Sequence, residues 1–172
     1  GDPAIARAWL LCAMANVERD ERALSAIVGA FVDLKHEVGD DAAAAFALRF
    51  VDHEDPGVRS SAVGVLNANR SAAAIAGMIA CTRDPDSHVR EWACFGLGHQ
   101  LGSAHAHDIV DTPELREALA ACLTDPAGAV RQDAATGLAL RGDERGLAAI
   151  GEWLERFETD GVTEGVLDAL EE

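Results

Sequence analysis

The stretch Asp84-Pro85-Asp86-Ser87-His88-Val89-Arg90-Glu91-Trp92-Ala93-Cys94-Phe95-Gly96-Leu97-Gly98 decides the fold. Asp-Pro ends one helix and opens the next, because proline suits the first turn of a helix and not its interior. Acidic residues at that point favour the positive N-terminal end of the second helix. Val89, Ala93 and Leu97 then fall at i, i+4 and i+8, which is one face of a helix.

The pattern recurs on either side. Asp55-Pro56-Gly57-Val58-Arg59 and Asp125-Pro126-Ala127-Gly128-Ala129-Val130-Arg131 align with it on the Val-Arg pair. Three residues after each arginine stands Ala62, Ala93 or Ala134, and seven after stands Leu66, Leu97 or Leu138. Upstream of each turn lies another apolar-periodic segment, over residues 42–51, 72–82 and 113–124. Thr112 is a good N-cap for the third, with Pro113 in the first helical position and Glu114 in the first turn. Each unit therefore reads as a helical hairpin. Such units stack, since one hairpin cannot bury its apolar face alone. The three arginines are 31 and 41 residues apart. The extra ten fall between Gly102 and Asp111 and read as an inserted loop.

The flanks follow the same plan. Gly142-Asp143 closes one helix and caps the next, which runs through Leu147, Ile150, Trp153 and Leu154, and a last helix is expected from about Thr163. At the front, residues 4–15 and 20–36 form a pair, the second with an apolar stripe of Leu24, Ile27, Val28, Phe31 and Leu34. The expectation is all-α, about ten helices in five hairpins, as a single solenoid over residues 1–172. The opening on Gly1 and the close on Leu170-Glu171-Glu172 in mid-helix pattern fit a piece of a longer array.

These residues resemble the HEAT-repeat family over about residues 40 to 155, and the Asp84 to Gly98 stretch looks like small bacterial HEAT-repeat proteins, often labelled phycobilisome-lyase-like. The resemblance implies a right-handed α-α solenoid of HEAT-like hairpins that acts as a binding scaffold. It also implies that the turn aspartate and the following arginine pair across neighbouring repeats, which makes Asp84, Arg90, Asp125 and Arg131 structural. His53 stands where the other two repeats carry that aspartate, so the first such contact is in question.

Composition narrows the function. Alanine and leucine dominate, tyrosine is absent and aromatics make up 5% of the chain. The 14 Lys and Arg against 30 Asp and Glu give a net charge of −16. So acidic a surface repels phosphate backbones and anionic membranes. It suits solubility or a basic protein partner steered in by the field. A nucleic-acid partner and a membrane partner are not expected. Cys12, Cys81, Cys94 and Cys122 lie apart in apolar helical stretches with no CxxC pair, as small core residues of a reducing compartment do. With no signal peptide and no membrane-length apolar run, a cytoplasmic location is expected.

The repeats also act as an internal control for function. Two residues after the arginine the column reads Ser61, Trp92, Asp133; five after, it reads Gly64, Phe95, Thr136. Two of three repeats are small or polar there, so the column faces outward. The middle repeat carries Trp92 and Phe95 on it, with His99 one turn on. Either these form a contact patch, tryptophan being enriched at binding hot spots, or Trp92 folds onto the 102–111 loop or into the core. Glu91 and Gln132, one residue after the arginine, join Asp133 as polar neighbours. The candidate partner-binding residues are Glu91, Trp92, Phe95, His99, Gln132 and Asp133.

Chemistry finds little support. His99, His105, His107 and Asp108 have metal-ligand character, but their spacing matches no motif. His36-Glu37 and His53-Glu54 are similar to the His-Glu pairs of deoxyhypusine hydroxylase, an iron enzyme of HEAT-like hairpins, yet one ends a helix and the other sits in a turn. Asn69-Arg70-Ser71 fits a glycosylation acceptor without a secretory context, and Arg141-Gly142-Asp143 reads as a helix end and cap. No catalytic residue, cofactor or metal is predicted. A tetrapyrrole-handling lyase, implied by the family label alone, and a structural spacer in a larger solenoid are the alternatives.

Overall fold

The computed structural model describes residues 3–67, 69–101 and 109–159, and every regular element among them is a helix. In chain order these are α1 (Pro3–Val17), α2 (Glu21–Gly29), α3 (Phe31–Val38), α4 (Asp40–Ala47), α5 (Pro56–Leu66), α6 (Ala72–Cys81), α7 (Ser87–Phe95), α8 (Pro113–Cys122), α9 (Gly128–Ala139) and α10 (Glu144–Thr159). A π-helical turn, Gly96–Gln100, continues α7 without a break. The second helices of the hairpins, α2, α5, α7 and α9, pack one on the next as a layer, and α10 packs on α9. The result is a right-handed α-α solenoid of about five hairpins. The helix expected from Thr163 and the stretch holding His105, His107 and Asp108 lie outside the described residues.

The repeat column forms the core. Val58, Ala62 and Leu66, then Val89, Ala93 and Leu97, then Val130, Ala134 and Leu138 are all 0% exposed. Burying each Val or Leu stabilises the fold by about 1.5–3 kcal/mol relative to leaving it in water. The alanine in the middle of each triplet keeps neighbouring helices close.

The turn divides its polar work between two residues. Asp55 and Asp86 are the N-caps, accepting from the amide of Val58 at 3.0 Å and from those of His88 and Val89 at 2.9 and 3.2 Å. In the third repeat Ala127 takes the cap position and supplies no side-chain bond. The earlier aspartate bridges repeats instead. Arg59 donates through Nε and Nη2 to Asp84 at 2.7 and 2.8 Å, and Arg90 does the same to Asp125 at 2.7 and 2.9 Å. Each arginine also clamps its own turn: Nη1 of Arg59 reaches the carbonyls of His53 and Glu54, that of Arg90 those of Asp84 and Pro85, and that of Arg131 those of Asp125 and Pro126. Arg131 thus makes the inward half of the contact, and no described carboxylate makes the other half.

His53 copies part of the missing aspartate. Its Nδ1 accepts from the amide of Asp55 at 3.1 Å, as the carboxylates of Asp84 and Asp125 accept from the amides of Asp86 and Ala127. No arginine of another repeat reaches the His53 ring among the described residues.

One element departs from expectation. The helix expected over 20–36 is two, α2 and α3, separated at Ala30. No proline signals the break. Phe31 stacks on Phe46 of α4 with ring centroids 3.9 Å apart, so packing on α4, rather than local propensity, sets the direction of α3.

The 141–143 tripeptide is a helix terminus. Gly142 takes φ +66°, and the Asp143 amide closes the turn onto the Leu138 carbonyl at 3.0 Å, the geometry of a left-handed glycine cap. Asn69 is buried, its amide donating to the Asp40 carbonyl at 2.7 Å, which leaves it no room as a glycan acceptor.

Candidate functional site

α7 and its π-helical continuation carry a single stripe of rings. His88, Trp92, Phe95 and His99 succeed one another at spacings of four, three and four residues along one helix face. Trp92 meets His88 edge-on at 6.1 Å between centroids and Phe95 edge-on at 5.8 Å, while Phe95 stacks on His99 at 5.3 Å. The Trp92 indole N–H donates to Nε2 of His88 at 3.0 Å, which fixes the indole about its own helix. Trp92 stays 38% exposed, so it does not enter the core.

Glycines place the far end of the stripe. A Cβ on Gly98 would lie 2.9 Å from the Asp133 carbonyl oxygen, and one on Gly137 would lie 2.5 Å from the Gly98 Cα. The π turn and α9 therefore touch backbone to backbone, possible only with no side chain on either residue. That approach brings His99 Nε2 to 3.1 Å from Asp133 Oδ1. Below the contact, the buried guanidinium of Arg141 donates to the carbonyls of Leu97, Gly98, Gly137 and Val110 at 2.6–3.3 Å, satisfying acceptors that the ends of both helices leave open.

Between α7 and α9 the side chains of Glu91, Trp92, Phe95 and Asp133 line a cavity of about 210 Å³. Five of the six candidate residues thus share one site. Gln132 does not: it lines a larger cavity of about 590 Å³ beyond α9, with Arg131, Thr136, Ile150, Trp153 and Leu154. His88 belongs to the stripe and escaped the sequence reading. Its signal was there, one helical turn before Trp92, but it sits in the first turn, where capping residues are expected.

The electrostatics are uneven. Burial pushes the Asp133 carboxyl above its ordinary range; the His99 ring opposes this and the Glu91 charge reinforces it. Asp125, by contrast, is held below that range by its bonds from Arg90. Among the described residues no group of three or more His, Cys, Asp or Glu is placed to hold a metal ion. Of the thiols, Cys81 is pushed up to about 11 by burial, with nearby carboxylates adding to it, and Cys12 is also raised by burial. No helix among the described residues is long and apolar enough to cross a membrane.

The chain belongs to the HEAT-repeat family: the family model for HEAT repeats matches residues 5–98 and again 75–171. Repeats of this family generally mediate protein interactions or scaffolding, and the fold is typically non-catalytic. No curated protein matches the chain. Among solved structures it is similar to the X-ray structure of YibA from Escherichia coli, at 19% identity and a TM-score of 0.69 over 84% of this chain and 50% of that one. This chain spans about half the length of that protein, and the likeness is one of fold.

Proposed function

We propose that this protein is a non-enzymatic interaction module that takes a basic protein segment on its second-helix face, against the α7 ring stripe and the carboxylates of Glu91 and Asp133. Gln132, at the rim of the neighbouring cavity, extends the same face. The observation that carries the reading is the stripe itself: four rings in register on an outward face, where the neighbouring repeats hold Ser61 and Gly64 or Asp133 and Thr136. Large rings on an exposed face mark contact surfaces. The net charge of −16 favours a basic partner and disfavours nucleic acid and anionic membranes. The buried thiol of Cys81, raised by burial, is a poor nucleophile, which favours a binding role over a tetrapyrrole-lyase reading at that residue.

An array of unstructured peptides of graded charge tests this. The wild-type protein is expected to bind basic peptides, and a Trp92→Ala/Phe95→Ala double variant with unchanged helical circular dichroism to lose them. Equal binding by both proteins would move the surface elsewhere. Binding of acidic peptides in preference to basic ones would remove the charge argument.

A further inference from the structure

We propose that the cavity between α7 and α9 is a guanidinium pocket, reading a single arginine side chain of the bound segment. This rests on the function proposed above and names the group that the face recognises.

The molecule supplies its own comparison. Its most deeply buried carboxylates each hold an arginine: Asp84 holds Arg59, Asp125 holds Arg90, and Asp143 holds Arg116 and Arg145. Asp133 holds none among the described residues. Its side chain is only 18% exposed, and its ionic partner is His99. Oδ1 takes that bond, while Oδ2 holds none among the described residues. Glu91, across the cavity on α7, likewise has a histidine, His88, as its ionic partner among the described residues, at 3.6 Å. Two carboxylates thus line one cavity with no arginine or lysine paired to either among the described residues.

The remaining walls are aromatic. Trp92 and Phe95 stand edge-to-face and both line the cavity. A cation over a ring face gains about 0.5–2 kcal/mol, and arginine adopts the position more often than lysine. A planar guanidinium also carries N–H donors along several edges, enough for the carboxylates of two helices and a ring face together, where an ammonium is a compact point charge. The volume of about 210 Å³ admits the head of one side chain and not a folded element. Neutral and anionic groups would leave Asp133 buried without a full positive partner.

The probes are N-acetyl-arginine amide, its neutral isostere N-acetyl-citrulline amide, and N-acetyl-lysine amide. The readout is the indole N–H signal of Trp92 in a ¹⁵N correlation spectrum, assigned by its loss in Trp92→Phe, with the Trp153 signal as internal control. The arginine probe is expected to shift the Trp92 signal and leave that of Trp153 in place. Citrulline is expected to bind about ten-fold more weakly, and lysine to fall between them. Glu91→Gln and Asp133→Asn, folded by circular dichroism, should each weaken the arginine probe several-fold.

Citrulline equal to arginine would overturn the pocket, as would undiminished binding by both variants. Lysine equal to arginine would overturn the guanidinium assignment. Failure here is separable from failure of the wider reading. If the Trp92→Ala/Phe95→Ala variant loses basic peptides while citrulline matches arginine, only the pocket falls. If that variant keeps its peptides, the face itself is wrong.

Discussion

Gly98 and Gly137 meet backbone to backbone, and any Cβ on Gly137 would stand 2.5 Å from the Gly98 Cα. This one contact sets the spacing of α7 and α9 and, through it, the bond between His99 and Asp133. Gly137→Ala should therefore do two things. It should destabilise the protein by about 1–3 kcal/mol, as overpacking does, and it should weaken binding at the α7 stripe beyond what the stability loss explains. Thermal melts and the peptide array read the two effects. A variant as stable as wild type would show that the helices part without cost.

Gly64 is the contrasting case. It lies within α5, takes an ordinary φ, and a Cβ there meets nothing within 4 Å. Gly64→Ala should stabilise the fold by about 0.5–1 kcal/mol through helix propensity and a less free unfolded chain. A lower melting temperature would contradict this.

The arginine ladder predicts unequal costs for equal mutations. Arg90→Ala leaves Asp125, 9% exposed at its side chain, buried without its partner, and should cost about 3–5 kcal/mol. Arg131→Ala removes bonds to two turn carbonyls and no described carboxylate, and should cost about 1–2 kcal/mol. Chemical denaturation of the two variants side by side is the measurement. Equal losses would mean that the turn clamp, not the bridge between repeats, holds the stack.

Two aspartates should respond to pH in opposite senses. Arg90 holds the folded Asp125 below its ordinary value, so its contribution to stability is present above about pH 4 and is lost as pH falls through the lowered pKa. Asp125→Asn should flatten the acid limb of the stability curve. Burial raises the folded Asp133, so its ionisation begins to oppose folding as pH rises above about 4 and does so fully above the raised value. Asp133→Asn should be the more stable protein at neutral pH and lose its advantage below about pH 4. Denaturation midpoints between pH 3 and 8 decide both, and a destabilised Asp133→Asn at neutral pH would show that His99 outweighs burial.

The sequence made the repeat legible because Val, Ala and Leu recur four apart with a proline-marked turn before them, and both signals are local. Trp92 and Phe95 stood out because two sister repeats showed what the column looks like when it only holds the fold. The break at Ala30 was not legible, since the stacking of Phe31 on Phe46 arises between helices. Neither was the π turn, which sits where Gly98 meets Gly137 across 39 residues of chain. The separation of Gln132 from Asp133 was hidden for a similar reason. Adjacent residues on α9 face different neighbours, α7 on one side and α10 on the other.

The bridge from Arg59 to Asp84 and that from Arg90 to Asp125 run the same way along the chain, each arginine reaching forward to the turn of the following hairpin. These two junctions are thus plugged by the same fitting with a defined front and back. Excision of the hairpin unit between those turns would leave Arg59 opposite Asp125, and duplication would insert one more matched joint. A gene for such a protein can lengthen or shorten by whole units without inventing a new seam, so evolution can vary the rings of one repeat while the connectors stay interchangeable.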